Sequence, residues 1–192
     1  MVWWLLMNSI PFGLRVAARI LCVAVLVALP ARAFAQTATI APSTTYEIGF
    51  SPGGGALAVV LRAIELAHRS IRVACYEFTN REIADRLLAA ARRGVDVAIV
   101  ADARASEQRY SEIPYLAREG IPVRLDARYA IMHDKFMVID SGGVETGSFN
   151  YTLAAVRENA ENALLLRDAP DLAASYLGEW RRLWEESQPS LR

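Results

Sequence analysis

The sequence predicts an α/β fold: a mixed, largely parallel β-sheet flanked by helices on both faces. Two observations carry this and a third qualifies it. Strand-like and helix-like stretches alternate as β-α-β-α-β with short links between residues 46 and 100, a pattern that implies parallel strands joined by right-handed crossovers. The run 95–100 is almost continuously apolar, as in a strand covered on both faces. Finally, Asp140-Ser141-Gly142-Gly143 is strong turn chemistry, so a hairpin adds antiparallel pairing.

The chain opens with an address. Residues 1–35 read as a secretory signal peptide: Arg15 and Arg19 flank the apolar run 20–29, Pro30 ends it, and Ala33-Phe34-Ala35 fits a small-x-small cleavage site. The run falls short of the roughly 20 apolar residues that a membrane span needs. We expect an exported protein, periplasmic or secreted, with 36–44 as a flexible lead-in and 45–188 as one domain. Removing the signal removes Arg15, Arg19 and Arg32 but none of the 21 acidic residues, leaving a net charge of about −3. That balance excludes a protein coated for polyanions, so any anion binding comes from a local site. Cys75 is then the sole cysteine, which excludes an intrachain disulfide, and its strand-like surroundings suggest a buried structural thiol.

Each element has its own signal. Residues 46–50 form a first strand. Ser51-Pro52-Gly53-Gly54-Gly55 follows, more simply a tight turn than a phosphate cradle, since no Gly-Lys-Ser/Thr comes after it. Leu57, Val60, Leu61, Ile64 and Ala67 mark one helix face. His68 ends this helix beside Arg69 and reads as structural, a cation suiting the helix C-terminus. Residues 70–76 alternate as a half-buried strand. Thr79-Asn80-Arg81-Glu82 reads as a capping box for a helix carrying Ile83, Leu87, Leu88 and Ala91, stopped by Gly94. Residues 101–111 are polar and irregular, and a short helix runs on to Arg118. Five arginines between 104 and 128 read as a solvated face, although Arg104 and Arg109 follow a strand's carboxyl end, where ligands sit in such sheets. Near the C-terminus come a short turn or helix at 153–157, a strand at 162–167 and a helix at 170–186 with Leu172, Tyr176, Trp180, Leu183 and Trp184 in one stripe.

The chemistry concentrates between residues 131 and 150. His133 is one of two histidines, and Lys135 is the only lysine among 21 basic residues. A lone ammonium in an arginine-rich chain points to a job for a compact point charge instead of a planar fork. Residues 131–139 read as a strand that sends His133 and Lys135 to one face. A turn centred near Gly142 sets Lys135 opposite about residue 149, within a residue or two, and returns Ser148 and Asn150 beside it. An imidazole that titrates near neutrality can act as nucleophile, base or acid. Lys135, Ser148 and Asn150 can donate to an attacked phosphate whose oxygens gain charge. A metal fits poorly here, because lysine is not a usual ligand and no second His or Cys is near.

His133-x-Lys135-x4-Asp140-x6-Gly147-Ser148-x-Asn150 resembles the signature of the phospholipase D superfamily. The wider chain is similar to that superfamily's short, single-motif bacterial endonucleases, through Gly49-Phe50-Ser51-Pro52, Arg93-Gly94-Val95-Asp96-Val97 and Glu161-Asn162-Ala163. The resemblance implies a phospholipase D-like fold and cofactor-free, metal-independent phosphodiester cleavage through a phosphohistidine. It makes His133 the nucleophile, sets Lys135, Ser148 and Asn150 on the phosphate, has Glu161 orient the imidazole, and leaves Asp140 to brace the hairpin. The implied mechanism needs a second histidine, so it also implies a homodimer with one shared site. The favoured substrate is nucleic acid, DNA or RNA. Phospholipid head groups are the alternative, and a non-catalytic anion-binding module is the third reading.

Overall fold

The computed structural model describes Ala35 and residues 37–190, so the expected signal peptide, apart from Ala35, lies outside the described residues. The regular elements are β1 (Thr45–Ser51), α1 (Gly55–Leu66), β2 (Ser70–Cys75), α2 (Arg81–Arg92), β3 (Asp96–Asp102), α3 (Ala103–Ser106), α4 (Ile113–Arg118), β4 (Val123–Asp126), β5 (Lys135–Ile139), β6 (Gly143–Gly147), α5 (Leu153–Arg157), β7 (Glu161–Arg167), α6 (Pro170–Glu186) and β8 (Gln188–Pro189). All lie within one compact unit, residues 39–192.

The strands form a single sheet in the order β1-β7-β6-β5-β2-β3-β4-β8. It is mixed, as expected, but not largely parallel. Only β2–β3 and β3–β4 pair in parallel, and every other neighbouring pair is antiparallel. The reason lies in the three-residue turn between β5 and β6 and in the longer link through α5 that returns β7 beside β6, so that consecutive strands pair antiparallel. This meander sits between β2 and β1. Counting directions across it, β1 does run parallel to β2 as its helical crossover demands, but three strands separate them.

Alternation along the strands builds two cores. Ile71, Val73, Cys75, Val97, Ile99, Met137, Ile139 and Leu165 are buried on the face covered by α1, α2 and α4. Ala74, Ala98, Val100, Phe136, Val138 and Val144 face the other way, against Trp180, Leu183 and Ala173 of α6. The Trp180 indole N–H donates to the Val73 carbonyl at 2.9 Å and so meets its one hydrogen-bonding need in the core. Cys75 is fully buried, and burial pushes its thiol far above the ordinary range, as befits a structural cysteine.

Local chemistry sets the helix starts. The N-cap of α2 is Asn80, not Thr79: its side-chain oxygen accepts from Glu82 N at 2.9 Å and Ile83 N at 3.2 Å. The N–H groups of Thr79 and Asn80 both donate to the Tyr151 carbonyl, at 2.9 and 3.0 Å, just ahead of the helix. The glycine run makes the tight turn, with Gly53 and Gly54 at φ 118° and 85°. Gly49 packs so close to α1 that a Cβ there would sit 2.1 Å from the Gly55 oxygen.

Candidate active site

The site forms at one edge of the sheet, where β2 and β3 end and β5 begins. Sites in sheets of this kind favour such carboxyl-end crevices. Strand β5 starts at Lys135, later than expected, and His133 lies in the preceding loop. The cause is Asp102 at the end of β3. Its Oδ2 accepts from Met132 N at 2.9 Å, which draws the chain out of the ladder, while its Oδ1 caps α3 through Ala105 N at 2.8 Å. Met132 is buried behind the loop and His133 is exposed in front of it.

Lys135 is only 9 % exposed. Its Nζ donates to the His133 carbonyl at 2.6 Å and lies 5.5 Å from the centre of the Tyr76 ring. Tyr76 also packs against the His133 ring, centre to centre 4.8 Å. Burial lowers the ammonium's pKa from its usual value, against the opposing pull of Asp134, Glu161 and Glu77. A desolvated cation of this kind binds an incoming anion more strongly than one in open water.

The hairpin register runs two residues short of the expected pairing. The ladder ends at Phe136↔Thr146, which leaves Lys135 one step beyond, opposite Gly147. Phe149 and Tyr151 then turn inward and are 1 % exposed, so the alternating residues Ser148 and Asn150 turn the other way, toward the sheet edge. Ser148 Oγ donates to Glu161 Oε2 at 2.6 Å and accepts from Asn162 N at 3.1 Å. Glu161 Oε1 accepts from Asn159 at 3.0 Å. Ser148 and Asn159 therefore hold the carboxylate, in place of the expected imidazole. Among the described residues, the buried Oδ1 of Asn150 has no hydrogen-bond partner.

Thus the structure brings His133 and Lys135 into direct contact and ties Ser148 to Glu161. It couples the two pairs through the Lys135–Glu161 field. Asp140 stands apart, at the far end of β5, about 17 Å of strand from Lys135. Its carboxylate accepts from the N–H groups of His68 (3.1 Å), Arg69 (2.7 Å) and Ser70 (2.8 Å), and these bonds hold its pKa low despite partial burial. It braces the hairpin turn against the start of β2 and contacts none of the other motif side chains.

His133, Lys135, Gly147, Thr146, Tyr176 and Glu179 line a cavity of about 480 Å³ between this edge and α6, large enough for a nucleoside or a lipid head group. Among the described residues, no three His, Cys, Asp or Glu side chains gather around a common point suited to an ion. Sequence reasoning missed Tyr76 and Asp102. Both end parallel strands, the one signal that could have found them. Of the arginines between 104 and 128, Arg109 stacks on exposed Tyr110, while Arg124 and Arg128 bind α6 and its C-terminal end.

The family described as "Cardiolipin synthase, PLD-like domain" matches residues 60–184. The phospholipase D of Rickettsia typhi is 37 % identical over 131 residues, covering 68 % of this chain and 64 % of that protein. The human mitochondrial cardiolipin hydrolase is 32 % identical over 142 residues, 74 % of this chain and 56 % of that protein. The chain thus spans less than two thirds of the length of these relatives. Among solved structures, Nuc from Salmonella typhimurium, a phospholipase D family member, superposes with a TM-score of 0.75 at 42 % identity, covering 78 % of this chain and 99 % of that one. The family match contains the whole span from Tyr76 through His133 to Glu161 that folding gathers at one edge, and the chain belongs to the phospholipase D superfamily.

Proposed function

We propose that the chain hydrolyses phosphodiesters without a metal, through a covalent phosphohistidine on His133, and that it cleaves DNA or RNA internally after export from the cytoplasm. The observation that carries this is the buried Lys135 ammonium beside an exposed His133. It supplies a nucleophile next to a fixed positive charge, which attracts phosphate and repels a metal ion.

In this reading the free imidazole nitrogen of His133 attacks phosphorus, and Lys135, Ser148 and Asn150 donate to the phosphoryl oxygens as charge builds on them. The bond to the leaving oxygen breaks, and that oxygen takes a proton from a second imidazole. The second imidazole then removes a proton from water, whose oxygen displaces His133 from phosphorus and leaves a phosphomonoester. Ser148 has one O–H to give. When phosphate takes it, Glu161 is released and can accept from His133.

The second imidazole comes from another copy of the chain, giving a homodimer with one shared site. His68 cannot serve, because its backbone is bound to Asp140 at the opposite edge. The resemblance to single-motif endonucleases, with the superposition on Nuc, favours nucleic acid over lipid, while other relatives are named phospholipase D and cardiolipin hydrolase. Those names in turn support head-group hydrolysis as the second reading.

The test is incubation of the protein with plasmid DNA, and separately with phosphatidylcholine, both in EDTA, beside His133→Ala. DNA cleavage that persists in EDTA and vanishes in the variant is expected. Head-group release without DNA cleavage would reverse the substrate order, and loss of activity in EDTA would end the metal-free reading.

A further inference from the structure

The cavity beside the motif has two chemically different sides. Alternation along the start of β5 buries Met137 under α1 and Phe136 under α6. Asp134, two positions before Phe136, falls on the α6 side as well and lines the cavity there. On α6, Tyr176 and Glu179 stand three residues apart, on one helix face, and line it too. The Tyr176 ring meets Phe136 edge to face, centre to centre 5.0 Å. Arg182 fixes the Glu179 carboxylate: its Nε donates to Oε2 at 2.9 Å, and the guanidinium is itself held by the Tyr129 hydroxyl and Glu186. Asp134 differs. Its carboxylate accepts no hydrogen bond and makes no ion pair among the described residues, and desolvation together with the Glu179 charge pushes its pKa up. Lys135 and His133 thus offer a place for phosphate, while the α6 side offers an aromatic ring and acceptor oxygens that repel a second phosphate and call for N–H donors.

We propose that the α6 side of this cavity is a base-binding subsite: the unpaired base next to the scissile phosphate lies against Tyr176 and donates its N–H groups to Asp134 and Glu179, so that guanine is preferred. The inference rests on the nuclease reading above and gives it a specificity. An aromatic side chain beside a phosphate site is a surface on which a base can stack. A carboxylate accepts from the amino groups of bases. Guanine alone among the four bases presents two N–H groups side by side, from ring N1 and exocyclic N2, to the two oxygens of a carboxylate. Adenine and cytosine set one amino group beside an unprotonated ring nitrogen, and thymine sets its one N–H between two carbonyl oxygens that a carboxylate repels. In a duplex this edge is taken up by pairing, so the base must be unpaired to offer it. A cationic head group fits the same side less well. The Glu179 charge is already met by Arg182, which leaves Asp134 alone to answer a full positive charge, and an ammonium group fills little of a cavity of about 480 Å³.

The experiment is cleavage of single-stranded oligothymidylate carrying one guanine at its centre, in EDTA, by protein expressed from the whole sequence, with the cuts mapped along the strand. Strands with adenine or cytosine at the same place are cut in parallel. The wild type is expected to cut beside guanine about 10-fold or more faster than between thymines of the same strand, the discrimination that one two-bonded base contact gives, and faster than beside adenine or cytosine. Asp134→Asn and Glu179→Gln are each expected to bring that ratio down toward one. The ratio compares positions within one strand, so it does not move when a variant merely loses folded protein or overall rate. Uniform cutting by the wild type would overturn the subsite and leave the nuclease reading intact. Variants that cut more slowly but keep the guanine bias would overturn it as well, because the two carboxylates would then serve the fold alone. Release of head groups from phosphatidylethanolamine vesicles, with no oligonucleotide cut, would overturn both the nuclease reading and the base subsite.

Discussion

Lys135 is where the difference between two basic side chains has its sharpest consequence. Its ammonium fits between the His133 carbonyl and the Tyr76 ring in a nearly closed space. A guanidinium is larger and planar, and cannot present a single point of charge there. Lys135→Arg is expected to lower turnover on a chromogenic phosphodiester by about 100-fold or more, the usual effect of losing one oxyanion donor, with little change in secondary structure. Turnover within a few-fold of wild type would remove Lys135 from the site. Glu145 tests a different property. It is fully buried, it accepts from Tyr151 at 2.8 Å, and burial pushes its pKa up to about 8. The folded chain therefore holds a proton that the unfolded chain releases above its ordinary value of 4.5. Folding stability contributed by this proton is fully present below pH 4.5, falls as the pH rises toward 8, and is level beyond. The loss across that window is on the order of a few kcal/mol. Glu145→Gln removes the titrating group, so its melting temperature should change less between pH 5 and pH 8 than that of the wild type. Equal slopes in the two proteins would mean that Glu145 is ionised in the fold.

At the scale of elements, the loop that carries His133 depends on a residue thirty positions earlier. Asp102 supplies two acceptors, one to Met132 N and one to the start of α3. Asp102→Ala leaves both donors buried and unsatisfied, at a cost of about 1–3 kcal/mol each. It should also lower turnover more than it raises KM, because the nucleophile's loop loses its anchor. Asp102→Asn keeps one acceptor and should restore part of both, measured by thermal melts and steady-state kinetics. Equal turnover in all three proteins would show that the anchor does not position the nucleophile. The contrast with the hairpin explains what was readable beforehand. Lys135 and Ser148 are joined by a short turn whose residues announce it, so their proximity follows from local chemistry. Asp102 reaches Met132 across the sheet, and nothing in either neighbourhood marks the pairing. The same holds for strand order: the helical crossover set the direction of β1, but the insertion of three strands between β1 and β2 is a tertiary choice. β4 and β8 escaped notice because four and two residues are too few to show a period. Thr79 fits the cap by spacing, but it is the Asn80 side chain that accepts from Glu82 N and Ile83 N.

For the whole molecule, the proposed shared site makes a numerical prediction. If each active centre needs a histidine from both copies, equal amounts of wild type and His133→Ala allowed to exchange subunits retain about a quarter of the starting activity per chain, since only wild-type pairs work. Independent centres would retain half. A plasmid-cleavage titration across mixing ratios separates a squared from a linear dependence. The second histidine marked the need for a partner as soon as it was counted, but not its surface.

The meander β5–β6–β7 also has a genetic consequence. His133, Lys135, Ser148, Asn150 and Glu161 all sit on or beside three consecutive strands, so their alignment depends on the lengths of the connections. Asp140 fixes one end of the first turn to the start of β2, so an extra residue at Ser141 or Gly142 cannot be absorbed there and must slip along β6. A slip of one position would turn Val144 outward and carry Ser148 away from Glu161. Codon insertions and deletions should therefore be tolerated far worse at positions 141–142 than most substitutions there. In a library screened for both soluble expression and phosphodiester cleavage, that turn should stand out as intolerant of length change and permissive of chemistry. An insertion there that keeps full activity would show that the turn, and not the ladder, takes up the added residue.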